Sequence, residues 1–336
     1  MKIAVIIPFY QREAGLLSEA LRSVFLQDIP ESYSVRIYVV DDESPFPASS
    51  EIDALPTDCA KNITLLRQPN GGPGVARNLA LDQIARDGAD YVSFLDSDDI
   101  WHPRHLREAV SALEAGYDYY FCDHTRFNAE ATYSSSIESL SEMRTAGTER
   151  FKTISSNGPV LAVESEVAVR AMIKDYLSQT STVVIRHSFI GKLRFRPELR
   201  GAGEDHFFWI CLLSKGARVA ISWQVNVHCG RGINIYHSAF DFSSVQSTDR
   251  IGYLLLFRQK CLELPLDDFC SNTVRQSVIR YRRAYSYMFV RAWLIGQRPN
   301  MRLFRMLWRE IPVLPLLMPF RFFAVLPKRS KESNKW

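Results

Sequence analysis

Tyr-Val-Ser-Phe-Leu-Asp-Ser-Asp-Asp, residues 91–99, sets the reading of this chain. Tyr91 to Leu95 is a short apolar run of the kind that forms a buried strand. Asp96, Asp98 and Asp99 follow where that strand must end. Three carboxylates in four positions repel one another, and packing alone does not favour them. A divalent cation removes the penalty, and hard oxygen ligands suit magnesium or manganese. The plainer reading is a run of aspartates capping a helix in a solvated loop. The position directly after an apolar strand favours the cation.

Working outward, Ile3 to Ile7 is a β-branched run closed by Pro8, and Val35 to Val40 is a second one ending in Asp41-Asp42. Ile63 to Arg67 reads as a third strand. Between them, Glu13 to Gln27 places Leu16, Leu17, Ala20, Leu21, Val24 and Phe25 at helical spacing. Asn70-Gly71-Gly72-Pro73-Gly74 is a turn before a helix over 75–85, and Pro103 stands near the start of a helix running to Leu113. Alternating strands and helices predict an α/β fold, with a mostly parallel sheet flanked by helices. Ligands of such sheets bind beyond the carboxyl ends of the strands. Tyr10, Asp41-Asp42 and Asp96 to Asp99 all fall at such ends, so three polar clusters are expected in one crevice.

From about Tyr119 the rhythm weakens. Residues 132–156 are rich in Ser, Thr and Glu and read as a loop or insertion. Thr180 to Ile185 and Val219 to His228 read as strands, and Gly203-Glu204-Asp205 precedes an aromatic helix reaching Lys215. After Ser238 the pattern is helical. The organisation expected is a catalytic domain over 1–240 and a helical C-terminal extension over 241–336.

Across 336 residues the hydrophobic share is 46% and the charged share 23%, the balance of an ordinary folded protein. A net charge of +4 gives no footing for nucleic-acid binding. The charge is uneven, however. From Arg275 to Lys335 there are fourteen Lys and Arg against Glu310 and Glu332. A basic, apolar tail favours an acidic partner, and a membrane surface is the commonest one. Ile311 to Phe320, the longest uncharged stretch of the tail, is too short to span a bilayer and is broken by prolines. Docking at the interface is therefore expected, against the plainer alternative of a helical cap on the catalytic domain. The six cysteines form no CxxC pair and fit reduced thiols, and the N-terminus offers no export signal.

Several residues recommend themselves for chemistry. Asp41 and Asp42 can accept from a base imide or a ribose hydroxyl, or close an Asx turn. Glycines before a helix allow close approach of an anion to its N-terminus, and Gly74, Arg77 and Asn78 lie in that region. Glu204 and Asp205, beside an aromatic helix, suit a general base, or an acidic first turn that satisfies the helix dipole. His228 or His237 is a candidate to complete a metal shell or touch a diphosphate, against the commoner structural role of a lone histidine, and Arg231 is a candidate to meet a phosphate.

Together these stretches resemble family 2 glycosyltransferases with the GT-A nucleotide-sugar fold. The matching segments are Ile-Ile-Pro-Phe-Tyr at 6–10, Val-Val-Asp-Asp-Glu-Ser at 39–44, Gly-Val-Ala-Arg-Asn at 74–78, Phe-Leu-Asp-Ser-Asp-Asp at 94–99 and Gly-Glu-Asp at 203–205. The resemblance covers roughly residues 1–240. It implies that Pro8, Tyr10, Asp41 and Asp42 line a uridine pocket. It also implies that Asp96 and Asp98 form a DxD motif, with Asp98 on Mn2+ or Mg2+, and that Asp205 is the base of a single inverting displacement. Gly-Arg-Gly-Ile-Asn-Ile-Tyr-His-Ser at 230–238 is similar to glucosyltransferases that build succinoglycan-type exopolysaccharide. That likeness implies UDP-glucose as donor and a lipid-linked oligosaccharide as acceptor; with the basic tail and the reduced thiols, the place expected is the cytoplasmic face of the inner membrane. The QxxRW motif and long transmembrane helices of processive members are absent from the sequence. A sugar nucleotidyltransferase is the competing enzyme reading, but the first strand ends in Pro-Phe-Tyr-Gln-Arg rather than a glycine-rich triphosphate loop. A non-catalytic carbohydrate-binding protein is the other alternative, and the intact Asp42, Asp98 and Asp205 oppose it.

Overall fold

A computed structural model describes residues 1–145, 152–153, 160–230 and 245–325. The chain divides into two compact units, one built from residues 1–197 and 208–233, the other from 198–207 and 234–336.

The first unit holds one sheet. Its elements run β1 (Lys2–Phe9), α1 (Leu16–Phe25), β2 (Ser34–Asp41), α2 (Ala48–Ile52), α3 (Thr57–Ala60), β3 (Ile63–Arg67), α4 (Pro73–Asp87), β4 (Tyr91–Phe94), β5 (Ile100–Trp101), α5 (His105–Glu114) and β6 (Tyr119–Thr125). They continue through α6 (Tyr133–Ser136), α7 (Glu138–Thr145), β7 (Lys152–Thr153), β8 (Val160–Val163), α8 (Ser165–Lys174), β9 (Val183–Arg186), α9 (His187–Ile190), α10 (Glu204–Ser214), whose first turn belongs to the second unit, and β10 (Val219–His228). Strand order is β3-β2-β1-β4-β9-β6-β10-β8-β7, with β5 on β10.

The parallel half is β3-β2-β1-β4, as the alternation of strands and helices requires. Beyond β4 the sheet turns mixed. There β9 is antiparallel to both β4 and β6, and β8 and β5 are antiparallel to β10, while β6 and β10 remain parallel. Residues 132–145, expected as a loop, form α6 and α7. Their polar composition hid Tyr133, Leu140 and Met143, which are buried. The expected strand over 180–185 begins as a 3-10 turn at Thr180–Thr182, and only Val183 onward pairs.

β1 is buried from Ile3 to Phe9, so both faces of the sheet are covered at its centre. Ile3, Val5, Ile7 and Phe9 pack with Leu17, Leu21 and Val24 of α1 and with Leu106, Val110 and Leu113 of α5 in one core. Each such side chain is worth ~1.5–3 kcal/mol when fully buried. Ala4 and Ile6 point the other way, and α4, which lies against β1 and β2, gives none of its buried residues to that core. This is the doubly wound arrangement. Its topological switch falls between β1 and β4, because the chain leaves β1 toward β2 and β3 and returns on the far side.

The second unit contains α11 (Val245–Cys261), α12 (Asp268–Leu294), α13 (Met301–Glu310) and α14 (Leu314–Val325). Asp267 caps α12 by accepting from Cys270 N at 2.7 Å, and Asn300 caps α13 by accepting from Leu303 N at 3.0 Å. Gly252 of α11 lets Tyr285 and Leu303 approach so closely that a Cβ there would stand 2.7 Å from each. Lys260 joins α11 to Glu310 of α13 at 2.9 Å. Among the described residues, no helix is long and apolar enough to cross a membrane.

Candidate active site

Register alone brings the three polar clusters together. Phe9 pairs with Asp41, and Ile6 with Phe94, so Tyr10, Asp42 and Asp96 leave three adjacent strands at the same edge. Gln11 and two serines then tie the loops. Gln11 N donates to Ser44 Oγ at 2.7 Å, Ser44 Oγ donates to Gln11 O at 2.8 Å, and Gln11 Nε2 donates to Ser97 Oγ at 3.0 Å. Pro8 is buried within β1, whereas Tyr10 is 36% exposed at the strand end and its ring stays available for stacking.

The two aspartates after β2 do different work from each other. Asp41 accepts from Ser44 N at 2.8 Å and from Ala48 N at 2.9 Å, so it shapes its own loop. Asp42 Oδ1 accepts from Gln68 Nε2 at 2.7 Å and Gly71 N at 2.8 Å, and its Oδ2 accepts from Gly72 N at 2.8 Å. Of roughly four lone-pair sites on a carboxylate, three are thus taken within the chain. The glycine turn was expected to cradle a ligand anion. Its amides instead hold the Asp42 carboxylate, which occupies the favourable end of α4. Gly72, at φ +92°, adopts a backbone that only glycine takes easily. Gly74 is buried in the first turn of α4.

Arg77 and Asn78 also turn inward. Arg77 is 4% exposed, and its Nη2 lies 2.7 Å from Asp96 Oδ1 with the guanidinium over the Phe195 ring. The Asn78 amide is matched by one backbone residue, with Nδ2 donating to Phe195 O at 2.8 Å and Oδ1 accepting from Phe195 N at 2.7 Å. Expected to contact a nucleotide, Asn78 is a clamp on the 195 segment, with each amide atom engaged by the Phe195 backbone.

The acid cluster is likewise partly compensated by the chain, a correction to the idea that a cation alone makes it tolerable. Asp96 has Arg77. Asp99 is buried and accepts from Ser181 Oγ at 2.6 Å, Gln179 Nε2 at 3.0 Å and Gly230 N at 2.8 Å. Burial, and then the charges of Asp96 and Asp98, push the Asp99 carboxyl far above the ordinary carboxylate range. Asp98 is half-buried, and Gly230 lies flat against it: a Cβ at 230 would stand 2.0 Å from the Asp98 carbonyl oxygen and 2.7 Å from its Oδ2.

His228 reaches this loop through pairing. β5, which follows Asp99 directly, is antiparallel to the end of β10, and His228 faces Ile100. His228 Nδ1 bonds Thr125 Oγ1 at 2.7 Å, which directs Nε2 outward. A second-sphere oxygen on one ring nitrogen is how metal-binding histidines are commonly oriented. Among the described residues, no three His, Cys, Asp or Glu side chains converge as a finished metal cluster. One carboxylate and one imidazole fit a magnesium- or manganese-type site nevertheless, because such ions take few protein ligands and complete their shell with substrate phosphates and water. His237 and Arg231 lie outside the described residues.

Glu204 and Asp205 open α10 and belong to the second unit. Asp205 Oδ1 accepts from His206 N at 2.7 Å. Gly203, at φ +81°, precedes them, and a Cβ there would meet the Phe257 ring at 2.8 Å. Further along α10, Phe208 and Trp209 pack on Phe94 with ring centroids at 6.5 and 5.4 Å, and Phe195 stacks on Phe208 at 4.1 Å.

Sequence reading missed Gln11, Gln179, Ser181 and Gly230. Only Gly230, the first residue of the quoted 230–238 motif, carried any signal. The others are ordinary polar residues whose partners lie far along the chain.

Comparison with known proteins identifies the family and the fold. The profile of the family described as "Glycosyl transferase family 2" matches residues 4–176. The succinoglycan biosynthesis protein ExoW of Rhizobium meliloti (strain 1021) is 36% identical over 243 residues, which is 70% of this chain and 71% of that one. Among solved structures, S. aureus TarS 1-349 in complex with UDP-GlcNAc superposes with a TM-score of 0.58 at 19% identity, over 99% of this chain and 89% of that one. A mannosyltransferase from Pyrobaculum calidifontis in complex with GDP-Man and Mn2+ superposes with a TM-score of 0.55 at 17% identity, over 98% and 87% of the two chains. A match of this extent decides against the nucleotidyltransferase alternative. With its doubly wound sheet, its strand-end aspartates and this profile, the chain belongs to the family 2 glycosyltransferases and has their GT-A fold.

Proposed function

We propose that this glycosyltransferase is an inverting, metal-dependent hexosyltransferase that moves glucose from UDP-glucose onto a lipid-linked glycan in bacterial exopolysaccharide synthesis, working at the cytoplasmic face of the inner membrane. The observation that carries the metal and donor parts is the Asp98–Gly230–His228 arrangement: a half-buried carboxylate against which the Gly230 backbone packs closely, two residues along the chain from an imidazole oriented by Thr125. The likeness to ExoW supports the exopolysaccharide setting. The TarS complex with UDP-GlcNAc supports a uridine diphosphate donor.

In this proposal Asp98 and His228 Nε2 hold the cation, which when bound supplies Lewis-acid stabilisation to the departing diphosphate. Tyr10 offers an exposed ring to the uracil, and Asp42 keeps one lone pair of Oδ2 for a donor group on the nucleoside. Asp205 takes the proton of the acceptor hydroxyl, and Glu204 neighbours it. The acceptor oxygen forms its bond to the anomeric carbon as the bond from that carbon to the diphosphate oxygen breaks. One displacement inverts the configuration, so an α-linked donor gives a β-linked product and the diphosphate leaves with the electron pair.

The test is direct. Purified protein is incubated with a panel of UDP- and GDP-sugars, with and without manganese, and both hydrolysis and protection against thermal unfolding are measured. UDP-glucose with manganese should stand out, and EDTA should abolish its turnover. Equal protection by GDP-sugars, or turnover indifferent to EDTA, refutes the donor and the metal assignments respectively.

A further inference from the structure

The second unit carries a group of basic side chains that glycosyl transfer does not use. Arg282 and Arg283 lie on α12 and Arg321 on α14. Tyr287 stacks on Phe322 with centroids at 5.4 Å, fixing α14 against α12 within one turn of Arg283. Arg282 Nε and Arg321 Nη1 are buried without a hydrogen-bond partner, and among the described residues no carboxylate pairs with any of the three. Buried guanidinium nitrogens are normally satisfied, since leaving one unmade is costly. Burial, and then the charges of Arg282 and Arg283, pull Arg321 down to about 10. Packing does not create such a group, because three cations crowded without an acid destabilise the fold. An anion would satisfy the unpaired nitrogens and neutralise the repulsion, and the planar guanidinium fork matches phosphate oxygens.

The surroundings say which kind of phosphate. Leu316, Phe320 and Phe323 of α14 are 73%, 73% and 68% exposed. At spacings of four and three residues they form one stripe along the helix. Trp293, Leu294 and Trp308 in the same unit are also more than half exposed. Bare aromatic side chains beside an unpaired cationic group suit an amphiphile, whereas a free phosphate offers the stripe nothing.

We propose that Arg282, Arg283 and Arg321, gathered where α14 packs on α12, form a phosphate-binding site that takes the phosphate group of a membrane lipid while the Leu316–Phe320–Phe323 stripe enters the acyl region. The proposal rests on the membrane-surface part of the function given above and assigns it to particular residues.

The experiment uses the full chain and co-sedimentation with vesicles of phosphatidylcholine alone or with phosphatidylglycerol added. Wild-type protein should sediment with the anionic vesicles. The pair Arg282→Gln and Arg321→Gln should weaken that binding about thirtyfold, at the usual contribution of each arginine near a charged surface. The pair Arg305→Gln and Arg309→Gln removes the same charge from exposed positions of α13 and should weaken it far less. Arg321→Met should raise the melting temperature, because it relieves a repulsion, and this also shows that the variant folds. Equal losses from both pairs, or no vesicle binding by wild type, overturn the proposal. Stabilisation by inorganic phosphate that is lost in Arg282→Gln/Arg321→Gln, with vesicle binding unchanged, overturns the lipid assignment. Turnover of UDP-sugar is read separately, so a failed donor assignment and a failed lipid site give different results.

Discussion

Alanine at position 230 would put a methyl group 2.0 Å from the carbonyl oxygen of Asp98, 2.9 Å from its carbonyl carbon and 2.7 Å from Oδ2. Ordinary contact needs roughly 3.4 Å or more between such atoms. Two of the three neighbours are backbone, so no rotamer change relieves the clash, and the end of β10 must withdraw from the loop by about 1 Å. The bond from Gly230 N to Asp99 Oδ1, now 2.8 Å, would then be lost. Removing one donor from a buried carboxylate costs ~1–3 kcal/mol, and overpacking costs a comparable amount. We expect Gly230→Ala to lower unfolding free energy by about 2–4 kcal/mol in urea titrations. A displacement of ~1 Å at a positioned catalytic group costs on the order of 100-fold in rate. Turnover of the best UDP-sugar should therefore fall by about that factor in protein that is still folded at 25 °C. Gly216→Ala is the control. Gly216 has φ +86° but open space around its Cβ direction, so it should lose ~1 kcal/mol of stability and no activity. If Gly230→Ala kept wild-type stability and turnover, Gly230 would not be holding the Asp98–Asp99 loop, and the site as built above would be wrong.

Asp205→Asn should reduce turnover by about 10²–10⁴-fold while UDP-sugar still protects against unfolding, since a lost general base leaves donor binding intact; unchanged turnover removes Asp205 from the mechanism. Asn78→Ala should destabilise by ~1–3 kcal/mol through the orphaned Phe195 backbone groups, with the donor KM near wild type; a raised KM with no loss of stability would return Asn78 to ligand binding. His105 is fully buried, its Nε2 has no partner, and burial holds its pKa down to about 3. The unfolded chain takes up a proton near pH 6.5 while the folded chain does not, so stability present above that pH is lost as pH falls. Between pH 7.5 and pH 5 the loss from this residue is ~2 kcal/mol, and His105→Leu should flatten that part of the profile measured by chemical denaturation. An unchanged profile would mean that the acid sensitivity lies elsewhere.

The parallel half of the sheet was legible because its central strands are buried on both faces, and such strands spell uninterrupted apolar runs. β6 was not. It reads Tyr-Tyr-Phe-Cys-Asp-His-Thr, and its polar end residues are buried through side-chain bonds such as Asp123 to Ser134, at 2.5 Å, that no local pattern announces. Candidate site residues at strand ends were placed correctly on the fold, but their partners were not foreseeable. Asp42, Arg77 and Asn78 each meet a residue 19 to 117 positions away. A charged side chain beside a glycine turn looks the same in sequence whether it faces a ligand or its own chain. Asp99 shows the converse. Its place in the acid cluster suggested a ligand, and only the return of β10 through Gly230 reveals it as the buried post on which Asp98 stands.

The web of Gln11, Ser44 and Ser97 has a thermodynamic consequence. Loops that already hold one another do not have to be frozen when a nucleotide arrives, so the entropy of ordering them is absent from the binding free energy. Affinity for the donor should then come with a small entropic penalty in calorimetry, and the amides of residues 11 and 44 should exchange slowly with deuterium before any sugar nucleotide is added.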